Sequence, residues 1–281
     1  MRGKAVKVSS IFFIALFLTS LFNQTSTAHT TAKLQTTGTT PVTNTHQIFL
    51  PFVQGNYAQP SPYPNDPYYP NQWAMEIAGA PAAWRLSRGN NILIAILDSG
   101  GDFAHIDLTS KLRSDIDKDF VNGDDKAQDD YGHGTHVAGI AAAATNNSEG
   151  VVGLGWETEI LPLKVLNGKG DGSLADVIDA IYYATDYGAR IINMSFSTKS
   201  DYNLQCSQFP ILVEALEYAY THGVLLIAAA GNDADDASKV IPANCPYVLT
   251  VAATNTEDKI ASFSNYGNAV SYTHLRAHET V

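Results

Sequence analysis

Six consecutive apolar residues at positions 92–97, Ile-Leu-Ile-Ala-Ile-Leu, run without interruption into Asp98-Ser99-Gly100. Side chains alternate between the two faces of a strand, so a strand of this texture has no face to give to water. It belongs inside a sheet covered on both sides. Further strand candidates lie at 160–166, 190–194, 224–229 and 248–252. Segments with helical spacing of apolar residues separate them, at 133–144, 174–187 and 210–222. Buried strands alternating with helices predict an α/β fold: a doubly wound, mostly parallel sheet with helices on both faces. No internal repeat is present.

The start of the chain reads as an address. Arg2, Lys4 and Lys7 precede an apolar run at positions 11–18, which gives way to Ser26-Thr27-Ala28. This is the pattern of a secretory signal peptide. The run falls short of the roughly 18 apolar residues that a membrane-spanning helix needs. Residues 1–28 are therefore expected to be a signal peptide and the protein to be secreted, with no membrane contact after cleavage. Residues 29–62, rich in Thr and then Pro, read as a linker. The folded domain is expected over 63–270, followed by an unrelated tail at 271–281.

Composition narrows the function classes. The chain carries 17 Lys and Arg against 28 Asp and Glu, a net charge of −11, which argues against a nucleic-acid partner. At 45% hydrophobic and 16% charged residues it is not a disordered chain. Its two cysteines exclude a disulfide-dense miniprotein and a four-cysteine zinc site.

In doubly wound sheets, catalytic groups gather at the carboxyl ends of strands. Three such ends stand out. Asp98 closes the first strand; by itself it is compatible with a simple chain-turning carboxylate, and no Gly-x-Gly-x-x-Gly follows it to bind a nucleotide. His133-Gly134-Thr135-His136-Val137-Ala138-Gly139 opens a helix. Its two histidines share a helical face, as metal ligands would, but the His-Glu-x-x-His pattern is absent. Ala228-Ala229-Ala230-Gly231-Asn232-Asp233 places an amide just past a strand of very small residues.

Taken together, the order and wording of these strings resemble the subtilisin-like serine proteases, the subtilase family, nearest their thermitase-like branch. Asn65-Asp66-Pro67-Tyr68, His105-Ile106-Asp107-Leu108 and Ile192-Asn193-Met194-Ser195 extend the likeness to roughly residues 63–268. The resemblance implies a serine endopeptidase, with Asp98 orienting His133, His133 as general base and Asn232 as oxyanion donor. It implies that a polypeptide substrate adds as a strand between Lys169, Gly170 and Gly172 on one side and Ser195, Phe196 and Ser197 on the other. Ala229, Ala230 and Gly231 would floor the primary pocket. Ser197 stands where relatives usually carry Gly.

The resemblance also implies structural Ca²⁺. Asp66, Asp107 and Asn147 would supply side-chain oxygens, and Ala144, Glu149 and Val151 backbone carbonyls, a hard all-oxygen set suited to that ion. A second site would comprise Asp119, Asn122, Asp124 and Gln128. Between Asp98 and Asp130 there are ten acidic and four basic residues, so bound cations would relieve repulsion. Cys206 and Cys245 are expected to pair, as in some secreted relatives, and the protein to be a monomer.

One departure matters. Relatives carry the nucleophile in a Gly-Thr-Ser-Met-Ala string beyond the region of Ser262-Phe263-Ser264, and these 281 residues contain none. The expectation is a fragment that ends before its catalytic serine and is inactive as written. The alternative is a non-catalytic binding protein of the same family.

Overall fold

The structure, a computed structural model, describes residues 63–271 and the backbone of residues 6–7 and 272–273. The expected signal peptide, linker and last eight residues otherwise lie outside the described residues.

The strands are β1 (Val6–Lys7), β2 (Leu93–Asp98), β3 (Lys118–Asp119), β4 (Glu159–Lys164), β5 (Asp171–Gly172), β6 (Ile191–Met194), β7 (Leu225–Ala229), β8 (Val248–Ala252) and β9 (Tyr272–Thr273). The helices are α1 (Trp73–Ile77), α2 (Ala80–Ala83), α3 (His133–Ala142), α4 (Leu174–Asp186) and α5 (Pro210–Thr221). Seven strands form one sheet in the order β3-β4-β2-β6-β7-β8-β9, and every neighbouring pair is parallel. This is the α/β architecture that the apolar runs require.

β2 shows the physical reason most clearly. Leu93, Ala95 and Leu97 pack in one core with Ala180 and Ile181 of α4 and Leu216 of α5. Ile94 and Ile96 pack in the opposite core with Val137, Ala138 and Ala141 of α3. All six residues of β2 are buried, so the strand has two apolar faces. Each fully buried Leu or Ile side chain contributes about 1.5–3 kcal/mol relative to exposure.

Chain order fixes where the site forms. After β2 the chain builds β3 and β4 on one side, then crosses by way of α4 to build β6, β7 and β8 on the other. β2 is therefore the strand at which the winding reverses, and Asp98 is its carboxyl-terminal residue. α4 begins at Ser173, whose hydroxyl accepts from Asp176 N at 3.1 Å. α5 begins with Pro210 at its first position, where the missing N–H costs nothing.

The short elements α1, α2, β3 and β5 fall below the length at which periodicity is readable. β9 occupies part of the segment expected to be an unrelated tail: Tyr272–Thr273 pair in parallel with Val251–Ala252. Cys206 and Cys245 form a disulfide, joining the turn before α5 to the loop before β8.

Candidate active site

Asp98 and His133 are both buried, and His133 Nδ1 lies 2.7 Å from Asp98 Oδ1. A carboxylate only accepts, so Nδ1 carries the proton and Nε2 is left as the basic nitrogen. Asp98 Oδ1 also accepts from Ser99 N at 2.7 Å. Its partner oxygen Oδ2 is buried without a hydrogen bond among the described residues. The carboxylate is thus committed through one oxygen to the imidazole, an unequal satisfaction typical of functional groups.

Glycines let the helix reach the strand. A Cβ on Gly134 would stand 2.1 Å from Gly100 O, so only glycine lets the first turn of α3 touch the end of β2. Gly132 precedes the helix in the left-handed region, at φ +92, and offers no side chain as a cap. The caps come from elsewhere. Ser99 Oγ accepts from Gly134 N at 2.8 Å, and Asp129 Oδ2 accepts from Thr135 N at 2.8 Å. Burial alone would push the Asp129 carboxyl up. Hydrogen bonds from Thr135, Gly132 and Tyr131 outweigh it and hold the group below the usual carboxylate range.

Asn232 follows β7 at the same edge of the sheet. Register pairs Ile96 with Asn193, and Asn193 with Ile227, so Asp98, Ser195 and Ala229 stand level two residues further on. Two inter-strand steps put the ends of β2 and β7 about 10 Å apart. Gly231, at φ +108, turns the chain there; a Cβ on it would meet Asn265 Nδ2 at 2.2 Å. Asn265 is fully buried and binds this segment through both ends of its amide. Sequence reasoning missed it, because nothing local distinguishes one Asn in a polar loop.

The two expected substrate edges flank this region. Gly172 of β5 bridges antiparallel to Leu166 on one side, and the same strand pairs antiparallel with Val6–Lys7 on the other. Gly170, at φ +74, leaves room for Tyr131: a Cβ there would lie 3.0 Å from its ring. Lys169 is on the exposed turn before β5. Ser195, Phe196 and Ser197 are buried just past β6. Ala229 and Ala230 are fully buried, and a Cβ on Gly231 would come within 3.4 Å of Ser197 Oγ, so these walls meet. A small apolar cleft opens between the edges, lined by Leu166, Gly172, Leu174, Val177, Phe196 and Ile241. Leu174 and Val177 come from α4, which the motifs did not mark.

Asp66 and Asp107 are buried and engage one loop. Asp66 accepts from Asn146 N at 2.7 Å and from Asn147 N at 3.3 Å. Asp107 accepts from Asn147 Nδ2 at 2.8 Å and Val151 N at 2.9 Å. Among the described residues neither carboxylate has an ion-pair partner, and no three His, Cys, Asp or Glu side chains form a metal cluster. Both carboxylates accept from N–H groups of the 146–151 loop, and buried carboxylates with no ion-pair partner are the kind of hard oxygen donor that suits a divalent cation. Ala144 joins that loop through its N–H to Asp107 O, at 2.8 Å, and Glu149 donates its N–H to Asn147 Oδ1 at 3.1 Å. At the other expected site the contacts are local. Asp119 accepts from Asn122 N and Nδ2 at 2.8 and 2.7 Å, Asp124 accepts from Lys126 N at 2.9 Å, and Gln128 bridges to Gly101.

Residues 89–277 match the sequence model of the Subtilase family. The chain is 40% identical over 210 residues to a thermophilic serine proteinase of Bacillus sp. strain AK1, covering 74% of this chain and 50% of that protein. It is 39% identical over 209 residues to thermitase of Thermoactinomyces vulgaris, covering 74% of this chain and 71% of that one. A solved protease from Pseudoalteromonas arctica superposes with a TM-score of 0.70 at 28% identity, over 78% of this chain and 74% of that chain. The chain thus spans half of the first of these curated relatives and about seven tenths of the second. No helix among the described residues is long and apolar enough to cross a membrane.

Proposed function

Since the chain belongs to the subtilase family, a family of serine proteases, we propose that it carries the Asp/His machinery of a secreted serine endopeptidase. The observation that carries this reading is the buried 2.7 Å contact between Asp98 and His133. A serine hydroxyl is a weak nucleophile at neutral pH. His133, protonated on Nδ1 and basic at Nε2, takes its proton and later returns it to the leaving amine. Asp98 holds that tautomer and stabilises the imidazolium that forms. Asn232 donates its side-chain amide to the oxyanion of the tetrahedral intermediate.

Polypeptide substrate binds as an added strand between residues 169–172 and 195–197, with an apolar side chain entering the cleft beside Phe196. Ala229, Ala230 and Gly231 floor the primary pocket, and the Ser197 hydroxyl narrows its wall. Subtilases generally bind calcium. Here Asp66, Asp107 and Asn147, with the carbonyls of Ala144, Glu149 and Val151, would hold Ca²⁺, which would neutralise two buried carboxylates. Asp119, Asn122, Asp124 and Gln128 form the second candidate site. The enzyme acts outside the cell as a monomer, after loss of residues 1–28.

The nucleophile belongs to a Gly-Thr-Ser-Met-Ala string that the 281 residues do not include. The test is therefore an assay of the product of the whole gene on a chromogenic peptide, wild type beside His133→Ala. Loss of turnover on the order of 10⁶-fold, the magnitude measured for the related subtilisin, is expected. Unchanged turnover in the variant overturns the reading.

A further inference from the structure

Asp129 lies outside every string that singled out the site, yet it receives five hydrogen bonds, from both elements that carry the Asp98–His133 pair. On the strand side, Ser99 Oγ donates to Asp129 Oδ1 at 2.8 Å. On the helix side, Thr135 N donates to Oδ2 at 2.8 Å and the Thr135 hydroxyl donates to the same oxygen. In between, Tyr131 N and Gly132 N donate to Oδ1 at 3.0 and 2.8 Å. Ser99 adjoins Asp98, and Thr135 is two residues past His133.

Other contacts close the frame. Ser99 Oγ, besides donating to Asp129, accepts from Gly134 N at 2.8 Å. Thr135 Oγ1 accepts from Asp102 N at 3.0 Å, which ties the helix to the chain beyond Gly101. From the opposite side, the buried Lys164 Nζ donates to Ser99 O at 2.8 Å and to Leu166 O at 3.1 Å, and pairs with Asp130. A simple helix cap would need only the Thr135 contact. The bond to Ser99 adds something a cap does not require, a fixed distance between the helix start and the strand end.

We propose that Asp129 is a positioning residue that clamps the start of α3 to the end of β2 and so holds His133 in register with Asp98. This rests on the endopeptidase reading for its consequence in catalysis, but the clamp itself is read from the placement of the imidazole, independently of turnover. Misplacing a catalytic group by about 1 Å costs up to ~10²-fold in rate, so a few bonds around one carboxylate matter out of proportion to their stability.

The test uses Asp129→Asn, Ser99→Ala, Thr135→Val and Thr135→Ser in the product of the whole gene. The first readout is the ¹H–¹⁵N two-bond correlation of the His133 ring at alkaline pH, assigned by its loss in His133→Ala. The wild type should show the Nδ1–H tautomer alone. Asp129→Asn and Thr135→Val should show a mixture of tautomers, and Thr135→Ser should restore the single form. The second readout is kinetic: kcat falls on the order of 10- to 100-fold in the first two variants, KM stays within about twofold, and Thr135→Ser recovers kcat. If Asp129→Asn does not fold, Ser99→Ala keeps the Asp129 carboxylate, removes the Ser99 bonds to Asp129 and Gly134, and is read in the same way. A pure Nδ1–H tautomer in every folded variant overturns the clamp. A wild type without turnover whose tautomer still responds overturns the endopeptidase reading and leaves the clamp standing.

Discussion

Asn265 holds the chain on both sides of Asn232. Its Nδ2 donates to Ala230 O at 3.0 Å, and its Oδ1 accepts from Asp233 N at 2.9 Å and Asp235 N at 3.1 Å. Its own backbone N–H donates to Gly231 O at 2.9 Å. The residue proposed to meet the oxyanion therefore sits in a turn whose shape is set from 33 positions further along the chain.

Two substitutions separate the roles of this pair. Asn232→Ala should lower kcat by roughly 10²–10³-fold with little change in KM, the cost of one oxyanion donor. Asn265→Ala takes the acceptor from the part-buried backbone N–H groups of Asp233 and Asp235 and empties a fully buried position, at a cost of about 1 kcal/mol or more. It should lower the Tm as well as kcat, whereas Asn232→Ala should leave the Tm nearly unchanged. Equal melting shifts in the two variants would contradict the division.

Calcium should matter to stability before it matters to chemistry. Asp66 ties the start of the folded domain to the loop at Asn146 and Asn147, and Asp107 holds the same loop at Asn147 and Val151. Chelation with EDTA should lower the Tm, because an ion held only by the native state stabilises it by mass action. Asp107→Asn should lower the Tm in calcium and abolish most of its response to EDTA. A melting curve that EDTA does not move, with no calcium found by metal analysis, would rule out this ion.

Reduction of the disulfide should destabilise the protein without touching the Asp98–His133 pair. Cys206 and Cys245 are 39 residues apart in sequence. Closing a loop of that length stabilises by about 4 kcal/mol on the chain-entropy account, less any native strain. Cys206→Ala/Cys245→Ala should thus show a lower urea midpoint with an unchanged His133 tautomer. A midpoint that stays in place would mean that the reduced chain already holds this loop closed.

Asp176 offers a pH test with a definite sign. Burial pushes its carboxyl up, the Ser173 hydroxyl opposes that shift, and Asp179 and Asp119 add to it. A carboxyl whose folded value exceeds its unfolded value of about 3.9 favours the folded state at low pH. That advantage is lost as pH rises through the raised folded value. Asp176→Asn removes the penalty at neutral pH while keeping a polar partner for Ser173. Its Tm should exceed that of wild type at pH 7, and the difference should vanish below about pH 3.9. A variant less stable than wild type at pH 7 would show that the helix terminus gains more from the charge than burial takes away.

The apolar runs and their spacing were enough to specify the parallel sheet, because a strand such as β2, apolar from Leu93 to Leu97, admits only burial on both faces. They also placed Asp98, His133 and Asn232 at strand or helix ends, since each follows or opens an element readable from its own neighbours. Tertiary structure decided the rest. Asp129 and Asn265 are ordinary polar residues in ordinary loops. Their weight comes from donors that other segments bring to them, the Ser99 hydroxyl to Asp129 and the backbone N–H groups of Asp233 and Asp235 to Asn265, each 30 or more positions away. The apolar cleft beside Phe196 is assembled from Leu166 just past β4, Gly172 of β5, the start of α4, Leu212 of α5 and the loop at Ile241. Periodicity reports which side of an element is buried. Which distant donor finds which acceptor depends on how the elements are wound, and that is decided only when the sheet closes around β2.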